Sequence, residues 1–305
     1  MFAVLTWEAL VTHDLLQKML LRIRPYETEP GTSDALFQHY LHDLLDLLPA
    51  QAKYLEAHKL GVLTGTDRRQ YNQFAELLAQ AQVAFAGVPT RREVRPLIGV
   101  IGEFYVRLRD QANGDILRQL EALGGETWLA PMTEFFSYAN YIGGVLIGNR
   151  LRDSGFNWKK WTERFRRRLN ARLAEKAERE LFAATHPFLV GYDDIGSEEV
   201  VAKGSRYVNP EFGGEAICSM GKAEDFAERG LAGLVSTIPF NCMPGQVVAS
   251  LSPTLRQRHD NIPFINLAYN GFEDPRRDEV IADFMAQVKE RQRGRVAAGS
   301  VTVRR

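Results

Sequence analysis

A chain of 305 residues, 45% hydrophobic and 25% charged, is long enough to bury its own core and has the balance of a soluble globular protein. Its 38 Lys and Arg equal its 38 Asp and Glu, so no global field draws it to nucleic acid or to an anionic membrane. No apolar run nears the ~20 residues that span a bilayer, Met1 to Leu10 lacks a signal-peptide pattern, and two cysteines are too few for a secreted disulfide scaffold, so the cytoplasm is the expected compartment.

Residues 7–86 read as helical. Leu10, Val11, Leu15, Leu16 and Leu20 recur at helical spacing until Arg24-Pro25 stops the pattern. Thr32, Ser33 and Asp34 offer a cap to a second helix with the stripe Phe37, Tyr40, Leu41, Leu44, Leu45 and Leu48, which Pro49 ends or kinks. A third starts near Thr66 or Asp67 and turns Tyr71, Phe74, Leu77, Leu78 and Ala81 inward. At Pro96 the pattern changes. Leu97 to Gly102 is a short apolar run bounded by Pro and Gly, as in a buried parallel strand. A loop, a helix from about Gly114 to Leu123 and a strand over 126–130 complete a β-loop-α-β unit, the seed of a doubly wound sheet.

Residues 133–183 are helical again. Trp158, Trp161, Phe165, Leu169 and Leu173 form a stripe, and Arg164, Arg166, Arg167 and Arg168 read as a basic solvated face over it. Glu163, Glu175, Glu178 and Glu180 offset those cations, which disfavours a nucleic-acid contact. The α/β pattern then resumes, with helices at about 214–228, 244–255 and 275–291 and strands at 231–238 and 262–268. The expected organisation is a helical region at 1–93, an α/β domain at 94–292 with a helical insertion at about 133–183, and a disordered tail at 293–305, aperiodic from Gly294.

The strongest local signal is the segment from Ile238 to Gly245, just beyond a predicted strand and just before a predicted helix. Ligands bind outside the carboxyl ends of such strands. Pro244 suits a helix start, whose partial positive charge then points at Cys242, an environment suited to a thiolate ligand or nucleophile. Position alone leaves open the plainer alternative of a small buried hydrophobe. At the same sheet edge, Glu103 could take a proton and Arg107 could pair with an anionic substrate group, or the two could form an ordinary surface pair. The loop lacks both GxGxxG and GxxxxGK[ST], so no standard nucleotide cradle is present. Cys218 reads as a core residue of a helix, and His39 with His42 as a solvated helix face. The absence of GxSxG disfavours a serine hydrolase.

Several segments in order carry a resemblance. They are Arg24-Pro25-Tyr26-Glu27 with Gly31, Pro96 through Gly102-Glu103-Phe104-Tyr105-Val106-Arg107, and Leu123 to Glu126 with Ala130-Pro131. Then come Gly214-Glu215-Ala216 with Gly221-Lys222-Ala223, Pro239 to Gly245, and Pro263 to Gly271. From about Leu5 to Arg291 the chain resembles the C-terminal region of CoA-activase-type proteins in the 2-hydroxyacyl-CoA dehydratase and benzoyl-CoA reductase superfamily, which includes double-cubane cluster proteins. The resemblance implies a flavodoxin-like α/β fold with a mostly parallel sheet and added helices. It implies a cysteine-bound iron–sulfur cluster, 4Fe-4S or double-cubane, charged by an ATP-hydrolysing activator under anaerobic conditions. The implied chemistry is low-potential reduction, including dehydration of an acyl-CoA substrate through a ketyl radical. Cys242 matches a cluster-ligand position, with Asn241, Met243 and Gly245 around the cofactor and Glu103 and Arg107 as catalytic pocket residues.

The sequence departs from this pattern in four places. The family's other ligand cysteines lie in a preceding α/β domain, which this sequence lacks. It also lacks the ATPase module of the long relatives. Asn241 stands where Thr is commoner, and Asn270-Gly271-Phe272 replaces Asp-Gly-Gln. A 4Fe-4S cluster takes four thiolates, so a partner domain must supply the rest. The leading expectation is therefore an iron–sulfur reductase or dehydratase-type subunit completed by a cysteine-bearing partner, with no nucleic acid or membrane involved. The alternative is a non-catalytic interaction or scaffold subunit that has lost the cluster.

Overall fold

The computed structural model describes residues 2–57, 69–154, 158–212, 214–272 and 274–297. These divide into two compact units, each made of separated segments: 1–91 with 131–196, and 92–130 with 197–305. The helical segment after the second strand thus clusters with the N-terminal helices.

The first unit is helical, comprising α1 (Phe2–Ile23), α2 (Thr32–Ala57), α3 (Arg69–Ala86), α7 (Met132–Ser154) and α8 (Trp158–Ala184). Helix α1 buries Val11, Leu15, Leu16, Met19 and Leu20, and α3 buries Phe74, Leu77, Leu78 and Ala81, as their spacing requires. The expected start of α3 at Thr66 or Asp67 lies outside the described residues. Of the two outcomes expected at Pro49, it does not end the helix: α2 continues through it to Ala57. Pro49 and Leu45, whose carbonyl loses its partner, are both exposed, so water can take that carbonyl.

Long-range polar contacts hold this unit. Asp14, buried on α1, accepts the Met132 and Thr133 N–H groups at 3.2 and 2.9 Å and the Thr133 hydroxyl at 2.8 Å, capping α7 from a distant part of the chain. Lys18 donates to the Tyr192 carbonyl at 2.8 Å and pairs with Asp194. In the RPYE segment, the Glu27 carboxylate accepts the Gly31 and Ser33 N–H groups, both at 2.8 Å, at the start of α2. The Arg24 guanidinium donates to Asp34.

The second unit is a four-stranded, all-parallel sheet in the order β2-β1-β3-β4, consistent with a flavodoxin-like α/β fold. The strands are β1 (Leu97–Gly102), β2 (Glu126–Leu129), β3 (Gly233–Pro239) and β4 (Phe264–Tyr269). Both faces are covered. Phe226 of α10 (Ala216–Glu228) lies against Gly99, and Gly245 of α11 (Met243–Arg258) against Ile238. On the opposite face, Met285 of α12 (Arg277–Ala297) reaches Gly125, and Phe284 and Val288 reach Gly233. Helix α6 (Ile116–Ala122) leads into β2.

Three local differences from the sequence reading stand out. The expected loop after β1 forms two short helices, α4 (Phe104–Leu108) and α5 (Asp110–Asn113). A short helix, α9 (Ser197–Gly204), precedes α10 where none is expected. Helix α12 runs on through Gly294 to Ala297, and the rest of the expected disordered tail, 298–305, lies outside the described residues.

Candidate functional site

From β1 the chain passes outward to β2 and then returns to the other side of β1 for β3 and β4. The winding therefore reverses between β1 and β3. In open α/β sheets the loops leaving the carboxyl ends of two such strands diverge and open a crevice. Here the segments that leave those strands are Gly102–Arg107 and Phe240–Gly245, each running into the first turn of a helix, the two segments singled out in the sequence.

The β3 loop is tightly specified. The Phe240 N–H donates to the Tyr269 carbonyl at 2.9 Å, tying the loop to the end of β4. Asn241 takes φ +58, the left-handed conformation that Asn tolerates better than most residues. Cys242 follows in extended conformation as the N-cap of α11, and its carbonyl accepts the Gln246 N–H at 2.9 Å. Its side chain makes no capping hydrogen bond, and the residue is half-buried, not part of the fully buried core. Pro244 sits in the first turn, where its missing N–H costs nothing. Gly245 lets α11 approach β3, since a Cβ there would lie 2.8 Å from Ile238 carbons. A Cβ at Gly214 would lie 3.2 Å from Pro244 Cγ, so the Gly214-Glu215-Ala216 and Cys242–Gly245 segments meet in space.

On the β1 side, Glu103 is the N-cap of α4, and its carboxylate accepts the Val106 N–H at 2.8 Å. The Glu103 N–H itself donates to the Thr237 carbonyl at 2.9 Å. Arg107 is 4% exposed and donates from Nη1 to the Gly102 carbonyl at 3.1 Å. Both side chains thus help to build the turn that carries them.

No protein-family model, curated protein or solved structure matches the chain.

Two features of the site escape a reading of spacing alone. The first is apolar exposure. Tyr105 after β1, Phe240 and Met243 after β3, and Phe272 after β4 are all exposed, Phe272 at 77%. They occupy the same carboxyl edge as Cys242, Phe240 and Phe272 on loops and Tyr105 and Met243 in the first turns of α4 and α11. The second is Tyr269, the last residue of β4. It is 8% exposed, and its hydroxyl has no hydrogen-bond partner among the described residues. Burial pushes that hydroxyl up to about 12 against the opposing pull of Arg277, whose guanidinium lies 4.5 Å from the ring centroid. The only sequence signal is an aromatic residue immediately before Asn270-Gly271.

Cys218 is buried on α10, as expected, and His39 and His42 lie exposed on α2 beside Asp43 and Asp46. Among the described residues, no group of three or more His, Cys, Asp or Glu side chains is placed to hold a metal ion. The donor set that this chain brings to this sheet edge is one thiol, which would fit one corner of a cluster and not a whole site.

Proposed function

We propose that the α/β unit is one half of an iron–sulfur reductase or 2-hydroxyacyl-CoA dehydratase-type site, and that Cys242 is its thiolate ligand. The observation that carries this reading is the position of Cys242. A partly exposed cysteine caps α11 at the point where the winding of the sheet reverses, within a loop fixed by Asn241 and Gly245. A bound cluster would supply low-potential single electrons. Cys242 would ligate it, and Asn241 and Gly245 would hold the cysteine backbone in place. Met243, Phe240, Tyr105 and Phe272 would be covered by a cysteine-bearing partner domain, excluding water from the crevice. The resemblance adds an ATP-hydrolysing activator and an acyl-CoA substrate as partners.

The test is anaerobic reconstitution of the full chain together with a cysteine-bearing partner, with iron and sulfide counted for wild type and Cys242→Ala. Loss of iron and sulfide in the variant is expected, with partial retention in Cys242→Ser. A full cluster in Cys242→Ala would overturn the assignment.

A second reading, a scaffold subunit without a cluster, is favoured by the engagement of Glu103 and Arg107 with the backbone of their own turn. Partner binding with no iron at any cysteine supports that reading.

A further inference from the structure

The aromatic stripe of α8 faces outward. Trp158, Trp161, Phe165 and Leu169 are 64%, 44%, 58% and 48% exposed. The residues of the helix that are buried lie further along it and are small or aliphatic instead. Ala177 is 2% exposed, Leu181 fully buried, and the Ala174 carbonyl accepts the Trp7 indole N–H at 3.2 Å. At about 100° per residue, Ala177 and Leu181 lie roughly 160° around the helix from Trp161 and Phe165. The rings form a continuous ridge. Trp158 stacks on Trp161 with centroids 5.2 Å apart, and Trp161 on Phe165 with centroids 5.9 Å apart. Exposed Arg166 and Arg168 flank it on opposite sides, and exposed Arg172 continues its line.

We propose that this ridge seats α8 on an anionic lipid surface, lying along the interface with the rings at headgroup depth and the arginines on lipid phosphates. Trp, Phe and Leu on one line with cations beside them is the pattern of an interfacial helix. No helix among the described residues is long and apolar enough to cross a membrane, so the contact is peripheral. The chain as a whole carries no net charge, so attraction comes from this local patch and not from a global field. Charge argues against a second copy of the same ridge, because Arg166 and Arg168 would meet their own counterparts. Stacking argues against single-stranded nucleic acid, because the rings already occupy the faces that bases would use. Arg172 lies on the apolar line itself, which asks for an occupant offering apolar depth and anionic surface side by side.

The test uses the full chain with vesicles of phosphatidylcholine containing about 30 mol% phosphatidylserine, and with phosphatidylcholine alone. Co-sedimentation is expected with the anionic vesicles only, weakening steeply between about 0.1 M and about 0.5 M salt. Brominated lipid in the same vesicles should quench tryptophan emission in the wild type, a measurement that needs no variant. Trp161→Ser with Phe165→Ser, and separately Arg166→Glu with Arg168→Glu, should each weaken binding at least about tenfold. These positions are exposed, so circular dichroism should be unchanged. The proposal is overturned by failure of the wild type to bind anionic vesicles, by undiminished binding of the ridge variant, or by ridge-dependent self-association or oligonucleotide binding in place of vesicle binding.

Discussion

A Cβ on Gly102 would sit 2.1 Å from the carbonyl oxygen of Thr237. That oxygen already accepts the Glu103 N–H, so the ends of β1 and β3 meet backbone to backbone where the winding reverses. Gly102 also takes φ +123, a region closed to side chains. Gly102→Ala is expected to cost about 3 kcal/mol or more, because neither the conformation nor the contact can be relieved by moving a flexible side chain. Urea unfolding monitored on the α/β unit measures this. A cost under about 1 kcal/mol would show that the strand ends can part cheaply.

Asn241 holds its left-handed conformation two residues after the last residue of β3 and just before Cys242. Asn241→Val should destabilise by about 1–2 kcal/mol, while Asn241→Gly should be near neutral or slightly stabilising. The same comparison, repeated on cysteine alkylation rates, shows whether the turn also sets the exposure of the Cys242 sulfur.

Glu224 on α10 is 1% exposed. Burial pushes its carboxyl up, but hydrogen bonds from Tyr207, His259 and Arg206 outweigh this and hold it below the ordinary carboxylate range. A depressed folded value means that the ionised form stabilises the fold. That contribution is complete above the unfolded carboxylate value of about 4.5 and is lost as pH falls through the lower, folded value. Glu224→Gln should cost about 2 kcal/mol at neutral pH and should flatten the acid limb of stability against pH. An unaltered acid limb in the variant would assign the acid sensitivity to other groups, of which Glu228, also held low against burial by Lys203 and Arg206, is the nearest.

Asp14→Ala should destabilise the helical unit by about 2 kcal/mol, because it leaves the buried Thr133 N–H and hydroxyl and the part-buried Met132 N–H at the start of α7 without their acceptor. Asp14→Asn should recover part of the loss, since one amide oxygen can still accept. Hydrogen exchange at Met132 and Thr133 reports the cap directly.

Strands β1 and β3, with the Cys242 loop between β3 and α11, were legible because each rests on short-range signals. These are an apolar run bounded by Pro or Gly, and a proline in the first turn of a helix. The α8 stripe was harder. Its spacing of three and four residues identifies a helical face but not the side on which the core lies. With Ala174, Ala177 and Leu181 packed inward, the larger residues were left outside, reversing the usual reading of size as burial. Helix α4 escaped because its N-cap is a glutamate, not one of the short side chains that ordinarily announce a helix start. The meeting of Gly214 with Pro244 depends on the packing of whole elements, which no local pattern encodes.

Asp14 finds its partners 119 residues further along the chain, and Lys18 reaches Asp194 across 176. On a ribosome, α1 to α3 therefore emerge long before their closing contacts exist, and the first βαβ segment is made while they wait. The helical unit can be completed only after residue 194 has left the exit tunnel, and the sheet only after β3 and β4 follow. A stalled or prematurely ended product would expose the apolar faces of both units at once, which makes this chain a demanding client for whatever protects it during synthesis.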